Sequence, residues 1–389
     1  MIYTFDSTQA GAPVLSGTAG ALATVLKACL VDGFGAGAVV SLVVTAGIAK
    51  ATYSASHPFR AGTVARIAGA TPAGLNGDKL ILTTTVNSVT YAAPDVADGA
   101  ATGTITSRMA PAGWQELFAG TVANVLVVKP TAVEATGCVL RIDDAGTTNA
   151  RLRGYESMTD AVTGQGPIPL DSHVAGGVYW SKAYGADGTP ISWRVWADSR
   201  GFYFAVAPRG NVNRYTLFYA GDLASFKPGD AWGWLLTGNA SDQVGVTWRP
   251  DGCCGWSSRN ARAGIYLARS HTGVGQSIAA ARYGSHHNGP ATETYAGTSG
   301  YAWGSYPNSP NNGLMTGELE VFALGMRGTL PGLLHPVQDC GDAFTSGTTL
   351  EGTNEFLGRK LMAWRVGPPV LGGEGGGTVF IDSTGPWSR

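Results

Sequence analysis

Glycine constrains this chain more than any other residue. It fills 57 of 389 positions, about twice the usual share, and with Pro, Asp and Asn it interrupts almost every apolar run before a long helix can form. What fits between the interruptions is short strand. Strand-like runs occur at Val39 to Ile48, Ala49 to Ser54, Gly62 to Ile67, Lys79 to Thr85, Ser88 to Ala92 and Ala101 to Thr106. They resume beyond Pro111 at Val122 to Lys129, Cys138 to Asp143, Arg151 to Tyr155, Trp193 to Ala197, Phe202 to Ala207 and Tyr215 to Ala220, then at Leu319 to Leu324, Lys360 to Val366 and Thr378 to Ile381. The pattern predicts an all-β fold with minor α.

One segment departs from it. Between Ser16 and Val31, Leu22, Val25, Leu26, Cys29 and Leu30 recur at three- and four-residue steps, which predicts one N-terminal helix capped by Ser16 or Thr18 and ended by Asp32-Gly33. Another turn or two of helix is expected around Ser157 to Val162. Turn signals at Thr71 to Gly77 and at Asp98-Gly99 mark residues 39–110 as a small β-sandwich or barrel, inserted in or preceding a larger β-sandwich domain. The division is 1–38 as a strand and helix belonging to the larger domain, 39–110 as the small module, and 111–389 as the large β-sandwich. Residues 239–312, rich in Gly, Ser, Asn and His, form an irregular excursion of a length usually reserved for function or interfaces.

Charged residues make up 14% of the chain, against roughly 25% in soluble domains. A surface so poor in charge suits burial against neighbours, whose contact centres are depleted in Lys, Glu and Asp, and it equally suits a loop-rich β protein. With 26 basic and 27 acidic residues there is no electrostatic footprint for nucleic acid or for an anionic membrane. The opening MIYTFDSTQAGAPVLSG lacks the basic start and apolar core of a signal peptide, and no run of about 18 apolar residues occurs, so neither export by that route nor membrane insertion is expected. Five cysteines at 29, 138, 253, 254 and 340 make no disulfide framework and fit a reducing cytoplasm.

The residues of types that carry chemistry each have a plainer reading. Asp143, Asp144 and Glu156 could supply paired glycosidase carboxylates, but Asp-Asp-x-Gly after a strand reads first as a turn. His286 and His287 follow Cys253 and Cys254 closely enough to suggest a metal, yet adjacent ligands diverge in an extended chain and the Cys-x₂-Cys spacing is absent. No Gly-x-Ser-x-Gly elbow occurs, and the run Gly372 to Gly377 lacks the Lys-Ser/Thr of a phosphate cradle. No catalytic residue, cofactor or metal site is assigned. Eleven tryptophans are mostly expected in the core, with Trp232 and Trp234 sharing a face. Trp256, Tyr301, Trp303 and Tyr306, in or beside the irregular excursion, are the candidates for contact with a glycan or a partner.

Several segments, taken together, resemble a family of virion structural proteins of tailed phages and prophages of Gram-negative bacteria. They are the opening Tyr3 to Leu15, Ala28 to Phe34, Ile67 to Gly77, Ala112-Gly113-Trp114, Leu140 to Asp144 with Arg153 to Met158, Arg327 to Leu333, and Gly385-Pro386-Trp387. The likeness spans nearly the whole chain, densest over the first 180 residues and thinnest from 239 to 312, and the turn Gly69 to Gly77 with the closing Gly103-Thr104-Ile105-Thr106 is also similar to small immunoglobulin-like modules of phage tail and capsid accessory proteins, which implies an immunoglobulin-like β-sandwich for residues 39–110. It supplies no catalytic residues. It implies a non-enzymatic component of the virion exterior, assembled in the host bacterial cytoplasm, tail or baseplate associated, with other virion proteins as partners and a homo-oligomeric trimer or hexamer as the natural state. Alternatives are a capsid decoration or minor capsid protein, and a module binding host surface glycan.

Overall fold

The computed structural model describes residues 1–240, 253–254, 264–283, 294–295, 298–299, 306–307, 311–338, 340, 343–367 and 377–389. Strand accounts for 45% and helical turns for 5%, so the protein is all-β with minor α.

Three phenylalanines, Phe202, Phe204 and Phe218, show how the larger body is layered. They lie on the strands Gly201–Val206 and Thr216–Asp222, every residue of which is buried. Alternate side chains of a strand leave opposite faces. Phe202, Phe204 and Phe218 therefore join one core, while Tyr203, Leu217 and Tyr219 join another on the far side. These strands sit mid-sheet in the antiparallel order Tyr3–Asp6, Trp193–Ala197, Gly201–Val206, Thr216–Asp222, Trp234–Thr237, Ile265–Leu267, Ile278–Ala279. A strand covered on both faces needs a sheet above and a sheet below.

The first covering sheet comprises Trp114–Leu117, Val125–Pro130, Val139–Asp143, Asn149–Met158, Gly164–Ile168 and Val178–Ser181. It contributes Leu126, Val128, Leu140, Ile142, Leu152 and Trp180 to the phenylalanine side. The opposite covering sheet runs Ala281–Tyr283, Thr316–Phe322, Met326–Pro336, Gly377–Asp382, Lys360–Val366, Thr349–Glu351. It contributes Leu319, Val321, Leu330, Leu333, Trp364, Val379 and Ile381 to the tyrosine side. The large β-sandwich thus has three layers, and each aromatic side chain wholly buried between them contributes roughly 1.5–3 kcal/mol.

The strand Tyr3–Asp6 pairs with Trp193–Ala197, which joins the start of the chain to the central layer. The helix is shorter than its periodicity predicts, spanning Ala21–Lys27 and passing into a wider turn over Ala28–Asp32. Ser16 and Thr18 do not cap it. Their hydroxyls bond to each other at 2.9 Å, and the residue before the helix is Gly20 with positive φ. The N–H groups of Leu22 and Ala23 in the first turn go instead to Asp144, far along the chain. The helical turn expected at Ser157 to Val162 is a hairpin turn, in which Asp160 accepts the Val162 and Thr163 N–H groups.

The small module pairs its strands in the order Phe34–Ala38, Thr106–Met109, Val64–Ala68, Gly77–Thr84, Ser88–Ala92, Ile48–Thr52, Ser41–Thr45, Gly99–Ala100. Pairing begins five residues before Val39. Gly77–Thr84 is long enough to pair with Val64–Ala68 at its start and with Ser88–Ala92 beyond Ile81, so one strand carries the chain from one half of a sandwich-like body to the other. Val64–Ala68, Thr106–Met109 and Phe34–Ala38 make one half and Ser88–Ala92, Ile48–Thr52, Ser41–Thr45 and Gly99–Ala100 the other, with Gly77–Thr84 shared by both. The run Val39 to Ile48 is broken at Ala46-Gly47, where both residues take positive φ and turn the first hairpin.

Candidate functional site

The three candidate acids are all engaged in holding the fold. Asp143 and Asp144 end one strand and point apart. Asp143 meets Arg141 at 3.2 Å and accepts the Ala145 N–H, which is the turn role. Asp144 is wholly buried: one carboxylate oxygen accepts Leu22 N–H at 2.7 Å and Ala23 N–H at 3.1 Å, and the other is paired with the equally buried Lys182. Burial pushes its carboxyl above the usual range, against the opposing pull of Lys182 and the two N–H donors. Glu156 forms a bidentate pair with Arg269 at 2.5 and 2.6 Å, and that guanidinium lies 3.7 Å over the Trp232 ring. None of the three lines either of the two clefts formed by the described residues.

Cys253 and Cys254 are buried behind the central sheet, where Cys254 N–H reaches Leu217 carbonyl at 2.7 Å. All five cysteines are buried, and burial raises the Cys138 thiol to about 12. His286, His287, Trp256, Tyr301 and Trp303 lie outside the described residues. Tyr306 is described: it is half-buried, its ring centroid 5.0 Å from Phe344, in a small cluster with Leu334, Leu361 and Phe380 on the outer face of the third sheet. Trp234 is fully buried while Trp232 is half-buried beneath Arg269. Among the described residues no group of three or more His, Cys, Asp or Glu is placed to hold a metal ion.

A cleft of 340 Å³ opens beside that cluster, and a break in strand register makes it. Glu318 pairs with Leu334 and Glu320 with Thr329, so Leu319 alone faces the four residues Leu330 to Leu333. Pro331 has no N–H to give the ladder, Gly332 takes φ +66°, and Pro331 carbonyl is held from below by Tyr203 hydroxyl at 2.9 Å. Trp387 packs directly on Gly332. Around the opening stand Glu318 and Glu355, both exposed and without a polar partner among the described residues, with Arg359 bound to Asp382 at 2.6 Å and Phe356 at the side. Three carboxylates against one guanidinium repel anions. Hydroxyl-rich neutral ligands match the mixture of acceptors, guanidinium donors and apolar wall. No motif announced these residues; Pro331-Gly332 within a strand-like run is the one local signal of the break.

A second cleft of 710 Å³ lies where the three layers meet. Most of its ionic groups are paired: Asp222 holds Arg200 at 2.9 Å and Thr136, Asp230 holds the buried Arg327 at 2.7 Å, and Arg389 holds Asp198 at 2.5 Å. It is a joint between sheets.

The outward side of the small module is different in kind. Val43, Ile48, Leu80 and Leu82 are 39–43% exposed, and nearby Val40 and Val86 reach 67% and 82%. On the hairpin Ser41–Thr45 and Ile48–Thr52 the outward positions are Ser41, Val43, Thr45, Ile48, Lys50 and Thr52, with one charge among six. Exposed apolar side chains of this kind, on strands of low charge, suit contact with another surface. No protein-family model matches the chain, and no curated protein shows significant similarity to it.

Proposed function

We propose that this chain is a structural component of a tailed-phage virion, exterior and associated by preference with the tail or baseplate, working through protein–protein assembly. The observation that carries the reading is the set of exposed apolar side chains on the small module, Val43, Ile48, Leu80 and Leu82, beside a hairpin whose outward positions carry one charge among six. The sequence resemblance supplies the setting. Mass spectrometry of purified virions tests it, with the chain expected among the particle proteins in the low copy number of a tail structure. Copies in the hundreds would move it to the capsid as a decoration protein, and its absence from the particle would end the proposal.

A second reading, a host-glycan-binding module, is supported by the cleft at Glu318, Glu355 and Arg359. A glycan array probed with purified protein, beside a Glu318→Gln, Glu355→Gln double variant, is expected to show retention of neutral oligosaccharides that the variant loses. Absence of retention by the unaltered protein would remove it.

A further inference from the structure

The pair Asp144 and Lys182 is unusual in what surrounds it. Both side chains have no exposed surface, and Lys182 is the one lysine of the described residues so buried. Asp144 stands directly after the strand Val139–Asp143 and Lys182 directly after Val178–Ser181, and both strands pair with Asn149–Met158. Their backbones are pinned as well. Asp144 N–H donates to Asn124 carbonyl at 2.8 Å, its carbonyl accepts Gly20 N–H at 2.8 Å, and Lys182 N–H donates to Thr148 carbonyl at 2.9 Å. The Lys182 Nζ touches Asp144 Oδ1 and donates to Thr18 carbonyl at 2.7 Å, while Asp144 Oδ2 takes the Leu22 and Ala23 N–H groups. Among the described residues no third ionised side chain reaches either group.

We propose that Asp144 and Lys182 become joined by an isopeptide bond, a covalent cross-link that forms after folding between residues 38 positions apart. Two buried charges are costly to hold without water, and the reaction removes both. A proton passes from the Lys182 ammonium to Asp144 Oδ1 along their hydrogen bond, leaving a neutral amine against a neutral acid, the form that burial favours. The amine lone pair forms the C–N bond at Asp144 Cγ, and the carbonyl electrons move onto Oδ2. There the Leu22 and Ala23 N–H groups receive the developing charge, as an oxyanion hole does. A second proton moves from the nitrogen to Oδ1, the C–Oδ1 bond breaks with its electron pair leaving on oxygen as water, and Oδ2 regains its double bond. Ammonium and carboxylate give one amide and one water, with no oxidant or added reagent.

The surroundings fit the product as well as the pair. The remaining N–H of the amide keeps its acceptor in Thr18 carbonyl, and Oδ2 keeps both backbone donors, so the helix stays capped. Only Oδ1 departs. The inference stands apart from the virion reading, since it concerns the chain alone.

Intact-mass spectrometry of the purified full-length chain, denatured after folding, tests it. The chain is expected lighter than its sequence mass by one water, with fragmentation of a digest locating the loss in a branched peptide that joins Asp144 to Lys182. Asp144→Asn is expected to lose one ammonia instead, because the same attack expels the amide nitrogen. A folded chain at its full sequence mass overturns the proposal. So does a water loss located at a succinimide, such as Asp98-Gly99 would form, with Asp144 and Lys182 in separate linear peptides.

Discussion

Asp144 closes a helix that begins more than a hundred residues earlier and balances the one lysine buried in the described core. Asp144→Ala removes both functions and strands an unpaired ammonium, so the unfolding free energy in urea should fall by about 3–5 kcal/mol. The thiols and phenols form a second residue-scale expectation. Burial raises the Cys138 thiol from 9.0 to about 12, and burial with Asp78 nearby raises the Tyr3 phenol from 10.0 to about 12. In that window the unfolded chain has released protons that the folded chain retains, so stability is full below pH 9.0 and declines as pH rises toward 12. Urea midpoints measured across that range should fall steadily. Near neutral pH a thiol reagent should find none of the five cysteines until denaturant is added.

Between elements, spacing is set by glycines whose missing side chains let layers touch. A Cβ on Gly154 would lie 2.2 Å from the Trp234 ring, across the gap between the first and central sheets. Gly154→Ala should therefore cost about 1–3 kcal/mol and alter the near-ultraviolet circular dichroism of buried tryptophan. At this scale the strands Trp193–Ala197, Phe202 to Val206 and Lys360–Val366 were legible, because β-branched and aromatic runs end at Gly, Pro or Asp. The hairpin turn at Ala46-Gly47 was not, since Ala carries no signal for positive φ; neither was the helix cap, which comes from tertiary contact. The cleft at Glu318 and Arg359 was also illegible, because it arises from a register break that gathers residues from separate strands. The aromatic excursion drew attention to Tyr306, which the structure places against Phe344 in packing beside that cleft.

Across the whole molecule, continuous apolar strands in the middle of the chain demanded cover on both faces, and the third layer follows from them. The exposed apolar side of the small module lies outside that stack. Replacing Ile48 and Leu82 together by Lys should leave folding stability within about 1 kcal/mol, as exposed positions do, while sedimentation velocity shows a shift toward smaller assemblies. The central layer has a further consequence, in time. Its edge is the strand Tyr3–Asp6, and the hydrogen bond from Trp193 to Ser7 just beyond it spans 186 residues. A ribosome adds about 5–20 residues per second, so the first strand waits roughly 10–40 s for its partner to emerge. During that interval this strand is a bare sheet edge with an apolar helix behind it. Synthesis therefore passes through a stage in which the nascent chain needs shielding, and the yield of folded protein should depend on chaperone supply more than on the stability of the finished stack.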